Sequence, residues 1–336
     1  MKKMKFTEAI DNAIAQEMAN DPSIIILGED VHALRSTLYA RFGKERIKST
    51  PISESAFLGA SVTAAMLGLR PIVEIMLVDF IAVAMDSLVN HAAKNTFFSG
   101  GKWNTPLVIR TSCGGWYGDA GQHEQSLWGW LAHIPGLSIV VPSNPVDGGR
   151  LMVASLRNDS LVIFMEHKML AENWYDYMAI GGRKSIKFER PADAIEAEVP
   201  DKWEPLSLGL ANVVREGNDI SLISVGLSVH HCIEIANGLQ NDGISCEIID
   251  LRSIKPLDVE TIKKTASKTQ KVIVVDEDYK EFGLSGEIAA ILLENKIHCK
   301  FSRVCTTNTI PYSLKMEYET LPNKERIKLS INELLK

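Results

Sequence analysis

The alternation of strands and helices starts at Asp21-Pro22-Ser23-Ile24-Ile25-Ile26-Leu27. Asp21-Pro22 ends the helical pattern before it, because proline cannot continue a helix. The four apolar residues that follow are typical of a strand buried on both faces. Similar strand patterns recur at residues 72–75, 107–110, 137–141 and 162–165, with helical patterns between them at 55–69, 80–93 and 146–157. This order predicts a parallel sheet covered by helices on both sides.

The same alternation restarts after residue 205. Strand patterns at residues 220–225, 246–249 and 271–276 are separated by helical patterns at 229–239 and 259–268. We therefore predict an α/β protein of two domains, residues 1–171 and residues 206–336. The segment 172–205 mixes aromatic, glycine, proline and charged residues without periodicity, which predicts a linker.

Composition excludes several classes of protein. The 336 residues are 46% hydrophobic and carry a formal net charge of −6, with lysine and arginine spread along the chain. No basic stripe is present for a nucleic acid, and no apolar run approaches the ~20 residues of a membrane-spanning helix. Five cysteines without a CxxC pair argue against a disulfide framework or a structural zinc site. No secretory signal is visible, so we expect a cytoplasmic protein.

One candidate site lies in Thr50-Pro51-Ile52-Ser53-Glu54-Ser55. Ser53 is predicted to be a helix N-cap, which places Glu54 in the first helical turn. A structural interpretation is that the carboxylate complements the helix dipole. The functional interpretation is a carboxylate at a strand–helix junction, where open α/β sheets bind ligands. The chain has no GxxxxGK[ST] and no GxGxxG between a strand and a helix, so nothing indicates a P-loop or dinucleotide site.

The second candidate is His123, near the end of the glycine-dense stretch 114–125. This stretch follows a predicted strand, and loops at the carboxyl ends of parallel strands carry sites. An ordinary surface histidine is the alternative. His133 lies in an apolar stretch and is predicted to be a hydrogen-bonded core or interface residue. We interpret the remaining histidines as structural: His32, His91, His167, His230, His231 and His298.

Taken in order, these stretches resemble the β subunit of the thiamine-diphosphate-dependent E1 component of 2-oxo acid dehydrogenase complexes, of the pyruvate and acetoin type. The similarity is collinear over nearly the whole chain. It is carried by Leu27-Gly28-Glu29-Asp30-Val31, Pro51-Ile52-Ser53-Glu54, Gly68-Leu69-Arg70-Pro71, Gln122-His123, His133-Ile134-Pro135-Gly136, Val141-Pro142-Ser143, Glu166-His167-Lys168 and Asp250-Leu251-Arg252-Ser253-Ile254-Lys255-Pro256. The resemblance implies a pyrimidine-binding parallel sheet followed by a transketolase C-terminal-like α/β domain.

The resemblance also implies roles for four residues. Glu54 matches the glutamate that hydrogen-bonds N1′ of the cofactor's aminopyrimidine and so helps the thiazolium ring lose a proton, which requires a pocket that raises the pKa of the carboxyl. Phe80 matches the aromatic residue that packs on the pyrimidine, and Met76 is implied to lie on the same side of the pyrimidine pocket. Both also fit an ordinary core. His123 matches the active-site histidine that orients or protonates intermediates or assists acyl transfer to lipoamide.

The family's motif for Mg²⁺ and the diphosphate, Gly-Asp-Gly followed by an asparagine, is missing, since Gly118-Asp119-Ala120 departs from it. The resemblance therefore implies that an α subunit supplies this half of the site in an α₂β₂ assembly. It further implies a structural K⁺, whose ligands are main-chain oxygens. These belong to Leu107, Ser155, Leu156, Asn158 and Ser160. Aspartate is common in related chains where Asn158 stands.

The chain departs from the family in two places. Trp116, Trp128 and Trp130 add bulk near the His123 stretch, where they would narrow the acyl pocket or the lipoyl channel, or pack against the α chain. Residues 172–198 look like an insertion. They would form a tether or, through Trp174-Tyr175-Asp176-Tyr177, a contact with a neighbouring subunit.

The function predicted from the resemblance is oxidative decarboxylation of a small, pyruvate-like 2-oxo acid, with acyl transfer to the lipoyl groups of an E2 dihydrolipoyl acyltransferase. Acetoin cleavage by the same cofactor is the nearest alternative, and a split transketolase is a more distant one. An alternative of another class is a non-catalytic scaffold that stabilises an α partner.

Overall fold

The computed structural model describes residues 2–174 and 191–336. Its strands are β1 (Lys2–Lys5), β2 (Ile24–Glu29), β3 (Ile47–Thr50), β4 (Arg70–Leu77), β5 (Val108–Cys113), β6 (Leu137–Val140), β7 (Leu161–His167), β8 (Glu196–Val199), β9 (Asn212–Arg215), β10 (Ile220–Ser224), β11 (Cys246–Asp250), β12 (Ser253–Lys255), β13 (Lys271–Tyr279) and β14 (Lys300–Thr306).

The α-helices of the described ranges are α1 (Phe6–Asn20), α2 (Val31–Leu34), α3 (Ser36–Phe42), α4 (Glu54–Met66), α5 (Asn95–Phe98), α6 (Trp128–Ala132), α7 (Pro145–Leu156), α8 (Ala192–Ile195), α9 (Leu227–Gln240), α10 (Val259–Thr269), α11 (Leu284–Glu294), α12 (Leu314–Thr320) and α13 (Lys324–Leu335). A 3₁₀ helix (Val78–Ala84) and a π-helix (Ser87–Ala92) lie between α4 and α5. No helix in the described part of the chain combines the length and the apolar character that crossing a membrane needs.

The first sheet has the order β12-β6-β7-β5-β4-β2-β3. All strands from the first half of the chain run parallel, whereas β12 comes from the second half and pairs antiparallel with β6. Alternate residues of these strands point to opposite faces, so Ile72 packs with α1 and α7 while Val73 packs with α4 and α6. The predicted parallel sheet with helices on both sides is confirmed.

The second sheet has the order β14-β13-β10-β11-β9, in which only β9 is antiparallel to its neighbour. Helices α9 and α13 cover one face, and α10 and α11 cover the other. The core on the α10 side is continuous with that of the first sheet, since Val225 and Leu251 belong to the same cluster as Ile139 and Val141. The predicted α/β fold of two domains is confirmed, and the domains share one packed core.

The predicted helix at residues 80–93 is wrong in type. The chain forms a 3₁₀ helix and then a π-helix instead of a regular α-helix. A side-chain bond joins this stretch to α4, since Ser55 Oγ donates to the Val83 carbonyl oxygen at 2.5 Å. Such short irregular helices recur at functional sites.

Part of the predicted linker packs on the first domain. Strand β8 pairs antiparallel with β1, and the buried Trp203 donates from Nε1 to Asn12 Oδ1 at 2.9 Å. Residues 175–190, which include most of the predicted insertion and both tyrosines of its aromatic cluster, lie outside the described residues. The boundaries at 171 and 206 remain predictions.

Candidate active site

Glu54 occupies the first position of α4, where the sequence predicted it. Strand β3 ends at Thr50, and Ser53 is the N-cap residue as predicted, although its hydroxyl makes no capping hydrogen bond. The Glu54 side chain is half-buried. Glu29 ends the neighbouring strand β2, and its pKa is raised by burial and by the negative charges of Asp30 and Glu54. Acidic side chains therefore gather at the carboxyl edge of the sheet.

Phe80 and His123 lie against each other. Their ring centroids are 5.7 Å apart, with the planes at 79°, an edge-to-face contact. Phe80 is carried by the 3₁₀ helix that follows β4, and Ser55 ties this helix to the start of α4 beside Glu54. Met76 sits at an irregularity in the pairing of β4 with β5 and is half-buried. The chain thus collects Glu54, Met76, Phe80 and His123 on adjoining segments at one edge of the sheet.

The first domain holds the His123 loop through a buried lysine. Lys168 follows β7, is 1% exposed, and donates from Nζ to the main-chain oxygen of His123. Burial lowers the pKa of its ammonium, and the carboxylates of Glu124 and Asp79 oppose that effect. The ammonium also lies 5.2 Å from the ring centroid of Tyr117. Sequence reasoning missed this residue, although Lys168 directly follows a strand of seven buried residues.

The second domain holds the same loop from the other side. Gly121 N donates to the Ile310 oxygen at 2.8 Å, and Tyr279 Oη donates to Gln125 Oε1 at 2.9 Å. On the first-domain side, Gln125 Nε2 donates to Asp79 Oδ1 at 2.7 Å, next to Phe80. The histidine loop is therefore clamped between the two domains, and both domains set its position.

Two buried carboxyl groups meet beneath this loop, 193 residues apart in sequence. The Glu124 carboxylate accepts from Tyr117 N at 2.7 Å, and the Glu317 carboxyl accepts from Trp116 N. Burial, followed by the neighbouring charge of Glu124 and a hydrogen bond to it, raises the pKa of Glu317 to about 8. Because two like charges in contact cannot both ionise cheaply, Glu317 keeps its proton and donates it toward Glu124.

We expect the free energy of unfolding to fall as the pH rises from about 4.5 to about 8, in part because of Glu317. Within this window the folded chain retains the proton and the unfolded chain releases it. The stabilisation is complete below the unfolded pKa and is lost as the pH passes the folded pKa, with a slope of at most about 1.4 kcal/mol per pH unit. Glu317→Gln keeps a donor toward Glu124 and removes the titration, so urea unfolding across the window should show a flatter profile.

The matched control is Glu319→Gln, on the same helix α12 but exposed. It should leave the slope of the parent chain unchanged. Equal slopes for the parent and for Glu317→Gln would contradict the shared-proton assignment.

Comparisons with known proteins identify the family of the chain. The family described as the transketolase pyrimidine-binding domain matches residues 2–173, and the transketolase C-terminal domain matches residues 209–327. The 2-oxoisovalerate dehydrogenase subunit beta of Bacillus subtilis is 37% identical, with 99% of each chain covered. The acetoin:2,6-dichlorophenolindophenol oxidoreductase subunit beta of Cupriavidus necator is 36% identical, with 100% of this chain and 98% of that protein covered.

The pyruvate dehydrogenase E1 component subunit beta of Rickettsia conorii is 33% identical, with 95% of this chain and 94% of that protein covered. The chain belongs to the E1 β-subunit family. The resemblance drawn from the sequence is confirmed, as is the predicted class of oxidoreductase subunits. A solved structure described as a split-gene transketolase, an inactive β4 tetramer, has a TM-score of 0.78 over 99% of this chain and 98% of that one. Because the identity is 17%, this likeness supports the fold alone.

Two of the three tryptophans that the sequence analysis interpreted as departures from the family pack against the second domain of the same chain. Trp128 is buried and donates from Nε1 to Asp276 Oδ1 at 2.9 Å. Trp116 is half-buried and donates from Nε1 to Glu277 Oε1 at 3.1 Å, beside a 2.8 Å bond between His167 Nε2 and Glu277 Oε2. These contacts join the domains behind the histidine loop.

The third tryptophan, Trp130, is 45% exposed and lines a cleft of about 1290 Å³ together with His133 and the exposed Phe282. His133 was predicted to be a core or interface residue. The core interpretation is wrong, because the side chain is exposed at the rim of this cleft, and the interface interpretation stays a prediction.

The residues named for K⁺ lie at the opposite, amino edge of the sheet, away from Glu54 and His123. Leu107 immediately precedes β5, and Ser155 and Leu156 end α7. The main-chain oxygens of Leu156 and Asn158 both accept from Arg70 Nη1 at 3.0 Å. These two oxygens therefore already accept from a cationic donor of the same chain, and the K⁺ site stays a prediction. Within residues 2–174 and 191–336, no group of three His, Cys, Asp or Glu is arranged to hold a metal ion.

Proposed function

We propose that the chain is the β subunit of an α₂β₂ E1 enzyme that decarboxylates a pyruvate-like 2-oxo acid and passes the acyl group to lipoyl groups of an E2 dihydrolipoyl acyltransferase. One observation carries the proposal. Glu54, at the start of α4, adjoins the 3₁₀ helix on which Phe80 meets His123, at the sheet edge where α/β proteins bind ligands. Full-length identity of 33 to 37% to E1 β-type subunits supports it.

The residues present fit the pyrimidine half of thiamine diphosphate. When bound, the cofactor supplies a carbon nucleophile for attack on the keto carbon of the substrate. Glu54 would hold a proton at N1′ of the pyrimidine, and Met76 and Phe80 would flank that ring. Both are half-buried, so each keeps a face for a ligand. Asp79, next to Phe80, has a buried Oδ2 with no hydrogen-bond partner among the described residues.

His123 would serve the acyl-transfer end of the site. Its ring packs on Phe80 and its main-chain oxygen is fixed by Lys168, so the imidazole is held while its nitrogens remain available to exchange a proton with a bound substrate. Mg²⁺ and the diphosphate are assigned to the α subunit, because this chain lacks the Gly-Asp-Gly and asparagine motif.

Acetoin cleavage is the second candidate. It is favoured by the 36% identity to the acetoin oxidoreductase subunit of Cupriavidus necator. The five unpaired cysteines support the cytoplasmic setting that we keep as part of the proposal.

We expect the isolated chain to be inactive and the chain combined with its α subunit to turn over. The reason is that the isolated chain supplies only half of the cofactor pocket, which would position the pyrimidine but hold neither the metal ion nor the diphosphate. The measurement is reduction of an artificial electron acceptor with pyruvate, 2-oxoisovalerate or acetoin as the substrate.

Pyruvate should give the highest kcat/KM. A preference for acetoin would favour the second candidate. Turnover by the isolated chain with thiamine diphosphate would contradict the proposal that this chain carries only half of the cofactor site.

A further inference from the structure

Three side chains from distant parts of the chain form one hydrogen-bonded line beside the candidate active site. Asp79 lies on the 3₁₀ helix after β4, Gln125 ends the glycine-dense stretch 114–125, and Tyr279 is the last residue of β13. Tyr279 Oη donates to Gln125 Oε1 at 2.9 Å, and Gln125 Nε2 donates to Asp79 Oδ1 at 2.7 Å. All three side chains are half-buried, so the line runs along the contact between the two domains.

The line has a single direction of hydrogen bonding. An ionised carboxylate only accepts, so Asp79 takes the amide nitrogen of Gln125 and leaves the amide oxygen for the Tyr279 hydroxyl. Burial raises the pKa of Asp79, whereas the hydrogen bond from Gln125 and the charge of Lys168 lower it. The other carboxylate oxygen, Oδ2, is buried and has no hydrogen-bond partner among the described residues. Among the described side chains, Gln125 is therefore the donor on which this carboxylate depends.

The bond between Asp79 and Gln125 lies close in sequence to the contact between Phe80 and His123. Asp79 immediately precedes Phe80, and Gln125 follows His123 by two residues. The two rings meet edge to face with their centroids 5.7 Å apart. Such a contact contributes only about 0.5–1.5 kcal/mol beyond burial, so it does not fix the imidazole by itself. The hydrogen bond between the neighbouring side chains supplies a second hold on the same two segments.

The backbone of the histidine stretch needs fixed ends, because it is strained. Trp116 has φ 80° and Ala120 has φ 64°, the left-handed region that favours glycine. Each such residue costs about 1–3 kcal/mol and persists only where the surroundings hold it. Gly114 N donates to the Gln125 main-chain oxygen at 3.1 Å and closes the stretch into a loop. A shift of Gln125 would therefore reach both ends of the loop that carries His123.

We propose that Asp79 and Gln125 are positioning residues. Through the hydrogen bond between them they hold His123 against Phe80, so that the acyl-transfer end of the site keeps its distance from the ring that would flank the pyrimidine. Tyr279 extends this hold into the second domain. The residues act through His123 and Phe80 rather than on the reacting atoms. The inference rests on the proposed function for its effect on turnover, whereas the placement of the imidazole can be measured without any reaction.

The test moves the charge along the line. Gln125→Glu sets a second carboxylate against Asp79, and because like charges in contact repel, the loop should move away from the 3₁₀ helix. Asp79→Asn alone keeps an acceptor for Gln125 and should change little. The two substitutions together restore a line, since the new amide at position 79 donates to the new carboxylate at position 125, which still accepts from Tyr279.

The first measurement is the NMR signal of the His123 imidazole in the full chain, assigned by its absence in His123→Gln. The Phe80 ring shifts the signals of protons that are held against it. Gln125→Glu should therefore move the His123 signal toward that of an unpacked imidazole, and the double variant Asp79→Asn/Gln125→Glu should return it. In the reconstituted complex, kcat should fall by ~10–10²-fold for Gln125→Glu and recover in the double variant, with little change in KM.

Gln16→Glu is the matched control. Gln16 is also a half-buried amide bonded at both ends, to the main-chain oxygen of Trp203 at 2.9 Å and to its nitrogen at 2.8 Å. The new carboxylate would face Glu17, whose Oε1 now accepts from Gln16 Nε2 at 3.1 Å. This variant should lower stability without moving the His123 signal or the kcat of the folded complex.

Tyr279→Phe removes only one hydroxyl and provides the measurement if Gln125→Glu does not fold. It should move the His123 signal in the same direction by a smaller amount. A signal that stays in place in every folded variant, or that does not return in the folded double variant, would overturn the proposal. If the signal responds as expected but the complex turns over neither a 2-oxo acid nor acetoin, the proposed function is wrong and the placement of His123 stands.

Discussion

Glu54→Gln in the reconstituted complex is expected to lower kcat by ~10²–10⁴-fold, the range that a positioned acid or base contributes. Glutamine has the shape of glutamate and can still accept a hydrogen bond, but it cannot exchange a proton with the pyrimidine nitrogen. Stability should change little, because the half-buried side chain gains about 0.3–1 kcal/mol from the α4 dipole and its repulsion of the Glu29 carboxylate opposes that gain. The measurements are steady-state turnover and calorimetric titration with thiamine diphosphate.

The control is Glu45→Gln, because Glu45 lies in the segment just before β3, is 81% exposed and pairs with Lys48 at 3.8 Å. It should leave kcat and unfolding unchanged. If Glu54→Gln also leaves kcat unchanged while the complex assembles, the scaffold interpretation is correct and the catalytic one is not.

The parts of the structure that the sequence predicted are those with local causes. Buried strands such as β2 and β10 are rich in isoleucine and leucine, and proline or glycine stands near their ends. Glu54 and His123 were predicted because both follow strands that end at one edge of a parallel sheet. Strand β12 was missed, since three residues, one of them charged, carry no periodic signal. The irregular helices after β4 were missed because apolar spacing alone does not separate 3₁₀, α and π geometry.

The buried charged residues between the two domains were missed for a different reason. Lysine and glutamate are normally surface residues, so Lys168, Glu124 and Glu317 gave no sign of burial. Each is buried only because a partner arrives from a distant part of the chain, and pairing over such separations leaves no pattern in a single sequence. Arg70 is another such case, since its two carbonyl partners lie 86 and 88 residues away.

Lys168→Met is expected to lower the free energy of unfolding by ~3–5 kcal/mol, the usual effect of removing one member of a buried charged set. Methionine fills the space of the lysine stem, but the His123 oxygen loses its donor. Glu124 and Asp79 lose the positive charge that lowers their pKa values, which burial already raises. Both folded-state pKa values should therefore rise further, and the loss of stability should grow as the pH increases. Urea unfolding at several pH values measures both effects.

Lys263→Met is the control, because Lys263 forms an ion pair with the exposed Glu260 at 2.8 Å; it should change stability by less than about 0.5 kcal/mol. A merely structural lysine would lower the amount of folded enzyme and nothing else. If Lys168 positions His123, the folded variant complex should also show a lower kcat and a shifted pH–rate profile, because the imidazole is no longer fixed beside Phe80. If the pH–rate profile of the folded variant complex is unchanged, Lys168 contributes to stability alone. The contacts from the second domain would then position the His123 loop.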